Sequence, residues 1–402
     1  MTHLEEVPPA RPRPRLEAEE RERLFAHFTA LCEVPSPSRS ERRVADGLRR
    51  ELEGLGLEVE EDATGPETGS DAGNLLTRLP GPPGTPTILL CAHMDTVPLA
   101  ARVEVVREDG VFRNAHPAIL GADNKAAVAV LVAALRRLVA EGSPVGVELL
   151  LTTCEEEALA GAKAFDAGRL RARSGYVLDH ASPIGELIVA SPTYYRLEAD
   201  FHGHAAHAGL HPERGRSAVA AAARAVDRLP LGRVDAETTT NVGRIEGGSA
   251  ANVVPERCRI VGEARGLDAE RVGAVVAGMV DVITEAATDT ECDVETHVEE
   301  LARGYRLARS SPPVLVAAAA LGAVGIEPLP RSTGGCSDAN VLVAGGLPCV
   351  NVANGTTGAH EPDEAVTEHA LETMLAVVLE IVTRCARRSR ARPRAWSPAR
   401  AR

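Results

Sequence analysis

The stretch TILLCAHMDTVP, residues 87–98, carries the strongest indication of the fold. Its first six residues form an almost continuous apolar run, which is typical of a strand buried on both faces of a parallel sheet. Two polar residues, His93 and Asp95, follow this run directly. Because ligands bind beyond the carboxyl ends of the strands in open α/β sheets, the stretch predicts both a central strand and one wall of a site.

Three further runs repeat the pattern: VELLLTT (147–153), GYVLD (175–179) and PCVNVA (348–353). Helical segments alternate with these runs, which predicts an α/β domain with a mostly parallel sheet flanked by helices. The predicted helices cover 17–31, 39–54, 125–140, 160–168, 216–228, 268–287, 312–323, 337–345 and 364–385.

The pattern changes between residues 192 and 306. Strand candidates at 195–201, 258–266 and 292–298 alternate polar with apolar residues, as expected for an antiparallel sheet that is covered on one face. The change predicts an inserted α+β domain that divides the first domain into two pieces. The predicted organisation is a disordered tail (1–15), the first domain (16–191), the insertion (192–306), the second part of the first domain (307–385) and a basic disordered tail (386–402).

Composition excludes several classes of function. The 402 residues include 44 Lys+Arg and 57 Asp+Glu, a formal net charge of −13, so a nucleic-acid partner is not expected. No apolar run is long enough to cross a membrane or to serve as a secretory signal, and we expect no membrane partner and a cytoplasmic protein. The eight cysteines show no paired CxxC spacing, which favours free, mostly buried thiols.

Residues of metal-ligand type occur where the predicted buried strands end. Asp95 lies two positions after His93, where it can hold the second imidazole N–H and fix the tautomer. Each residue also has a simpler structural explanation: a hydrogen-bonded histidine, a helix cap, a solvated loop or a turn. Their expected convergence at one sheet edge favours a site made of His93, Asp123, Glu156, Asp179 and His360.

Two imidazoles and three carboxylates suit two divalent cations such as Zn²⁺. Two such ions, three carboxylates and one bridging hydroxide sum to zero charge, whereas one ion would leave an excess of negative charge. Glu155 and Glu157 flank Glu156, and neighbouring carboxylates can divide metal binding from proton transfer.

The chain resembles the dinuclear zinc peptidase family that includes peptidase T, carboxypeptidase G and aminoacylase, and is most similar to the peptidase T-like branch. The similarity runs in order from about residue 17 to 385. It is carried by HMDTVP (93–98), LGADNKA (120–126), CEEEALAGAK (154–163), AAHAGLHPERGRSA (205–218) and TGGCSDAN (333–340).

The resemblance implies a role for each matching residue. His93 and Asp179 would bind one zinc ion, Glu156 and His360 the other, and Asp123 would bridge both, next to a cis peptide bond between Asp123 and Asn124. Asp95 would orient His93, and Glu155 would be the general base. In the inserted domain, His207 would reach the oxyanion, and Asn252 and Arg265 would hold the polar or carboxylate end of the substrate.

The chain departs from the family pattern at two places. Asn124 replaces a second Asp, and Glu157 with Ala158 replaces an aliphatic residue and Gly. Neither change removes a predicted ligand, so metal affinity is the property that they put in question.

These observations predict a metal-dependent hydrolase that cleaves amide bonds, with an aminopeptidase acting on short peptides as the first choice. A carboxypeptidase or N-acyl amino acid hydrolase of the same family is the alternative, and a non-catalytic metal- or peptide-binding relative is the rival from another class. The expected cofactors are two divalent ions, Zn²⁺ with Co²⁺ or Mn²⁺ as substitutes. The expected partners are a short peptide or acyl-amino-acid substrate and, through the inserted domain, a second copy of the chain.

Overall fold

The computed structural model describes residues 17–390, so the predicted tail at 1–15 and the part of the predicted tail 386–402 that follows residue 390 lie outside the described residues. Residues 386–390 are helical, contrary to the prediction that they are disordered. The chain divides into two compact units. The larger unit contains the chain up to Val189, then Leu307–Arg331, then Ser337 onward; the smaller unit contains Ala190–Arg306 and Ser332–Cys336.

The helices are α1 (Ala18–Cys32), α2 (Arg42–Gly54), α3 (Gly65–Thr68), α4 (Ala122–Glu141), α5 (Ala160–Ala164), α6 (Ala218–Arg228), α7 (Ala269–Asp289), α8 (Pro312–Ala323), α9 (Asp338–Ala344) and α10 (Glu368–Arg390). The strands are β1 (Val59–Glu61), β2 (Leu75–Leu79), β3 (Thr87–His93), β4 (Val105–Glu108), β5 (Val111–Asn114), β6 (Gly146–Thr152), β7 (Gly175–His180), β8 (Glu186–Ser191), β9 (Thr193–His202), β10 (Ala206–His207), β11 (Gly232–Arg233), β12 (Thr238–Gly247), β13 (Val253–Val254), β14 (Arg257–Gly266), β15 (Asp293–Ala302), β16 (Tyr305–Arg306), β17 (Leu329–Ser332), β18 (Cys349–Ala353) and β19 (Ala365–Thr367).

The main sheet of the larger unit has the strand order β1-β2-β6-β3-β7-β18-β8. Its inner strands β6, β3, β7 and β18 are parallel, and the strands on either side of them, β2 and β8, run antiparallel to them. His93 pairs with Thr152, so β3 and β6 end at the same level of the sheet. The predicted α/β class, with a parallel sheet between helices, is confirmed, and the carboxyl ends of four neighbouring strands share one edge.

Small aliphatic side chains build the core around this sheet. In α4, 14 of the 20 residues are buried, because Ala and Val side chains let the helix pack closely against β3, α1 and α10. Burying a single leucine such as Leu131 contributes about 1.5–3 kcal/mol. The helix follows Gly121, whose φ of +79° is a left-handed conformation that favours glycine.

The smaller unit contains an antiparallel sheet with the order β11-β12-β14-β9-β15. Helices α6 and α7 pack on one face, where Leu197, Phe201 and Ile260 meet Ala222 and Met279. A separate pair, β10 and β13, sets His207 opposite Val253.

The structure differs from the predicted elements at several places. The helix predicted over 160–168 ends at Ala164, and the helix predicted over 364–385 begins only at Glu368, after strand β19. The helix predicted to end at 385 continues to Arg390, because no Gly or Pro interrupts ARRSR and Ala386 is still buried. Several strands were not predicted, above all β12, whose sequence TTTNVGRIEG includes two glycines and a register shift between Val242 and Arg244, so it lacks a regular apolar alternation.

The eight cysteines are all free, and all are buried except the half-buried Cys336, as predicted. In the described part of the chain, none of the helices has the length and apolar character that a membrane span requires.

Candidate metal centre

The carboxyl edge of the parallel strands gathers the candidate ligands. His93 is the last residue of β3, and Asp179 is the penultimate residue of β7. Glu155 and Glu156 follow β6 within four residues, and His360 lies on the loop after β18. This placement follows the rule that sites form beyond the carboxyl ends of parallel strands.

Ligand-type atoms at this edge form three groups, within each of which all atoms lie within 4.8 Å of one another. The first group contains His93, Asp123 and Asp179; the second contains Asp123, Glu156 and His360; the third contains His93, Glu155 and Glu156. The first two groups share Asp123 and together contain the five predicted ligands.

The two oxygens of Asp123 face different histidines. Oδ1 lies 3.6 Å from His93 Nε2, and Oδ2 lies 3.5 Å from His360 Nε2. His93 Nε2 is also 3.4 Å from Asp179 Oδ1, while His360 Nε2 is 2.8 Å from Glu156 Oε1. A carboxylate placed in this way has one oxygen available to each of two cations.

Asp95 fixes the orientation of His93 mainly through its backbone. The Nδ1 atom of His93 lies 3.0 Å from the Asp95 carbonyl oxygen and 3.5 Å from the Asp95 carboxylate. With Nδ1 as the donor, the lone pair of neutral His93 is on Nε2, which faces Asp123 and Asp179. The Asp95 carboxylate instead accepts the backbone N–H groups of Glu155 (2.9 Å) and Glu156 (3.2 Å) and the Ser38 hydroxyl (2.6 Å).

The crowding of carboxylates perturbs their protonation. Burial raises the pKa of Glu155 well above its usual range, and the neighbouring Asp179 raises it further. Burial also raises the pKa of both Glu156 and Asp179. Hydrogen bonds to Asp123 and Glu156 raise the pKa of His360 to about 10. Negative charge therefore exceeds what the two imidazoles can balance, and a cation would relieve it.

The donor set fits divalent metal ions. Asp123 Oδ1 is buried and has no hydrogen-bond partner among residues 17–390, although a buried carboxylate oxygen normally has one. Imidazole nitrogens and carboxylate oxygens are ligands that suit Zn²⁺, and a coordinated ion would satisfy this oxygen.

A second carboxylate supports the turn that carries Asp123. Glu364 accepts the N–H groups of Gly121 and Asp123, each at 2.7 Å, and is itself buried. The peptide bond between Asp123 and Asn124 is cis, as the resemblance predicts. Sequence reasoning missed Glu364, although its position four residues after His360 in HEPDEAV was a usable signal.

The remaining predicted site residues lie in the smaller unit. His207 Nδ1 accepts the N–H groups of Gly209 and Leu210, both at 3.2 Å, so a neutral His207 carries its proton on Nε2. Asn252 lies beside it, because its carbonyl oxygen accepts the N–H of Ala208.

Arg265 is already engaged within the smaller unit. Its Nε and Nη2 atoms donate to the Glu263 carboxylate at 3.1 and 3.0 Å, and Nη1 donates to the Gly334 carbonyl oxygen. The guanidinium group also stacks on Tyr194, 4.0 Å from the ring centroid.

A model of one family, Peptidase family M20/M25/M40, matches residues 89–384. The chain belongs to this family. It is 37% identical to aminopeptidase PepT of Bacillus cereus, with 91% of this chain and 99% of that chain covered and a TM-score of 0.83. A tripeptidase of Staphylococcus aureus is 31% identical with the same coverage and a TM-score of 0.87. The uncharacterized protein YqjE of Bacillus subtilis is 37% identical over 366 residues, 91% of this chain and 99% of the relative.

These similarities confirm the predicted peptidase T-like family and the prediction of a hydrolytic enzyme of the peptidase class. These three relatives are matched over nearly their whole length, so both units of the chain are covered by the comparison.

The structure gives a reason for Asn124, one of the departures from the M20 pattern. Its side-chain amide donates to Asp179 Oδ1 at 3.3 Å and its carbonyl oxygen lies 3.4 Å from the amide nitrogen of Asn354. A second Asp at this position would place a further negative charge beside Asp179. Asn124 thus supports a candidate ligand without adding charge. The other departure, Glu157, is exposed and pairs with Arg39 at 3.3 Å.

Proposed function

We propose that the chain is a metallopeptidase with two divalent ions that cleaves the N-terminal peptide bond of short peptides. The observation that carries this proposal is the pair of ligand groups that share Asp123 and lie next to Glu155. One ion, Zn²⁺ or in its place Co²⁺ or Mn²⁺, would be held by His93, Asp123 and Asp179, and the other by Asp123, Glu156 and His360.

The chemistry supplied by two divalent cations in such a site is Lewis acidity, which polarises a carbonyl group and makes water more acidic. Asp95 keeps His93 in the tautomer whose Nε2 lone pair faces the site, and Glu364 holds the backbone that aims Asp123. These contacts favour a preorganised ligand set, which is what such chemistry requires.

Glu155 is the proposed general base. It takes a proton from the attacking water and returns it to the departing amine, so it must hold a proton between the two steps. Its buried position and the nearby Asp179 carboxylate raise its pKa, which makes the carboxylate a stronger base toward the proton of the water. Its backbone is held by the Asp95 carboxylate.

The smaller unit is proposed to supply further substrate contacts. His207, with its proton on Nε2, is suited to donate a hydrogen bond to the developing oxyanion. Asn252 and Arg265 are proposed to contact the polar end of the peptide. Because Glu263 occupies two nitrogens of Arg265, a substrate carboxylate would share the guanidinium group with Glu263.

The preference for short peptides and for the N-terminal bond rests on the similarity to the PepT aminopeptidase and the tripeptidase. A test should use the full chain loaded separately with Zn²⁺, Co²⁺ and Mn²⁺ and three substrates: trialanine, its N-acetyl derivative and its C-terminal amide. We expect release of free alanine plus dialanine from trialanine and alanine plus dialanine amide from the amide, with the acetylated peptide resistant.

Glu155→Gln is the matched control, because it preserves shape and removes the proton acceptor. It should reduce kcat by roughly 10²–10⁴-fold while the metal content is unchanged. Cleavage of the acetylated peptide with the amide resistant would favour a carboxypeptidase, and release of acetate would favour a deacylase. No turnover of any substrate by the metal-loaded chain would support the non-catalytic rival.

A further inference from the structure

The segment that presents Glu155 and Glu156 has four consecutive backbone N–H groups bound by side chains from other parts of the larger unit. The N–H of Thr153 donates to Asn74 Oδ1 at 3.0 Å, and that of Cys154 donates to Glu41 Oε1 at 2.9 Å. The next two N–H groups donate to the Asp95 carboxylate. A loop at a strand end is thus held residue by residue.

Glu41 stands out among these supports because it is fully buried and distant from the ligands in sequence. Its Oε1 atom accepts both the N–H and, at 3.3 Å, the thiol of Cys154, and its Oε2 atom accepts the Ser70 hydroxyl at 2.7 Å. Burying a carboxylate is costly unless hydrogen bonds compensate for lost hydration. A carboxylate kept in such a place therefore calls for an explanation.

The backbone that Glu41 holds is an unusual one. Cys154 has a φ of +48°, in the left-handed region that residues with a side chain seldom adopt. This conformation turns the chain from β6 into the segment that carries the two glutamates. Such a conformation persists only when surrounding contacts determine it, and the hydrogen bonds from Cys154 to Glu41 are contacts of that kind.

We propose that Glu41 is a positioning residue for Glu155 and Glu156, which acts by holding the Cys154 turn. The inference rests on the proposed function, because it assumes that these two glutamates do the work assigned to them. If the Cys154 backbone relaxes, both carboxylates shift together. A displacement of about 1 Å in a catalytic group can lower a rate by about 10²-fold.

The test compares three substitutions at Glu41. Glu41→Met is similar in size but cannot accept the N–H of Cys154, so kcat on trialanine at saturating metal should fall about 10–100-fold, with KM within about threefold of wild type. Glu41→Gln keeps an acceptor for this N–H and a donor for Ser70, so it should retain kcat within about fivefold. Glu41→Asp keeps the charge but withdraws the acceptor from the N–H of Cys154. It should show the same loss of kcat, and it takes the place of the Met variant if that variant does not fold.

Glu148→Met is the matched control. Glu148 is equally buried on β6 and accepts the N–H groups of Arg171 and Ala172, but it lies near the start of the strand, away from the ligand edge. This variant should lose stability while kcat per folded molecule stays within about twofold.

A second readout is hydrogen exchange in the metal-free protein. The amides of residues 153–156 should exchange at least about tenfold faster in the Met variant than in wild type or Glu148→Met. Losing a hydrogen bond lowers the free energy of local opening, and a decrease of about 1.4 kcal/mol speeds exchange tenfold. If the wild type is active and both Glu41→Met and Glu41→Asp have the same kcat as the wild type, the inference is overturned. Unchanged exchange of amides 153–156 in the Met variant would also overturn it. If wild type cleaves no peptide, the proposed function fails, and the exchange measurement still decides whether Glu41 holds this segment.

Discussion

Replacing Asp95 by Asn should separate two roles of its carboxylate: holding the backbone of Glu155 and Glu156, and orienting His93. The Asp95 carboxylate is fully buried and accepts three hydrogen bonds: from the N–H of Glu155, the N–H of Glu156 and the Ser38 hydroxyl. An asparagine has one acceptor oxygen, so in either orientation its NH₂ group faces a backbone N–H. The Ser38 hydroxyl can rotate and accept instead, but the backbone donor cannot.

The expected cost follows from these contacts. A hydrogen bond to a charged acceptor contributes about 1.5–3 kcal/mol, and a buried donor left unpaired costs about 1–3 kcal/mol. The two ranges describe the loss of the same hydrogen bond, so they are not added. We expect Asp95→Asn to lower the unfolding free energy of the metal-free protein by about 2–3 kcal/mol, measured by urea unfolding followed by circular dichroism. Displacement of Glu155 should lower kcat by about 10–100-fold.

Metal content distinguishes the two roles of Asp95. His93 Nδ1 is nearer to the Asp95 carbonyl oxygen, which the substitution retains, so bound metal should stay at the wild-type level. Ser38→Ala is the control, since it removes one hydrogen bond and leaves both backbone contacts; it should cost about 0.5–1.5 kcal/mol and little activity. An Asp95→Asn protein that loses metal but keeps its unfolding free energy would refute this reasoning and show that the carboxylate acts through His93.

Three other predictions concern the metal content of the larger unit and the roles of His207 and Glu263 in the smaller unit. Full metal loading should give two ions per chain by elemental analysis, and His360→Ala should hold only one ion tightly; retention of two ions by this variant would contradict the assigned groups. Chelation should lower the unfolding free energy by about 4 kcal/mol for each ion removed, relative to protein in free metal at a thousand times its Kd. His207→Ala should lower kcat by roughly 10²–10³-fold with metal content and melting temperature unchanged, since the side chain is exposed in its own unit; a destabilised but active variant would show a packing role. Glu263→Gln should lower KM several-fold for peptides with a free C-terminal carboxylate relative to their amides, because it removes the charge that occupies Arg265; equal effects on both would show that Arg265 does not meet the carboxylate.

Strand burial made the centre of the fold predictable. The inner strands β3, β6, β7 and β18 are nearly continuous apolar runs, and their order brings the predicted ligands to one edge. Strand β12 was missed because Gly243 and the adjacent register shift interrupt its pattern. Spacing along a chain reports which residues leave a buried strand, but it does not report irregular pairing.

The supports of the site could not be read from the sequence in the same way. Glu41, Asn74 and Glu364 act on backbone N–H groups that are 79 to 243 residues away in the chain. Any side chain with an acceptor oxygen can bind a backbone N–H, so no residue type or spacing marks these contacts. The hydrogen bonds between Arg265 and Glu263 likewise depend on side-chain orientation. Residues two apart on one strand lie on the same face, which allows this contact but does not establish it.

A common principle connects these supports to the candidate ligands. The short polar side chains of Asp and Asn readily bind backbone N–H groups of their own turns, which would turn a ligand carboxylate away from a cation. Here the backbone N–H groups of the ligand residues are bound by other side chains: that of Asp123 by Glu364, that of Glu156 by Asp95, and that of Asp179 by Asn351 at 3.0 Å. The backbone N–H groups of these three residues therefore do not compete for the candidate ligand carboxylates. It follows that three side chains that are not themselves candidate ligands, those of Glu364, Asp95 and Asn351, leave the carboxylates of Asp123, Glu156 and Asp179 available to face His93 and His360.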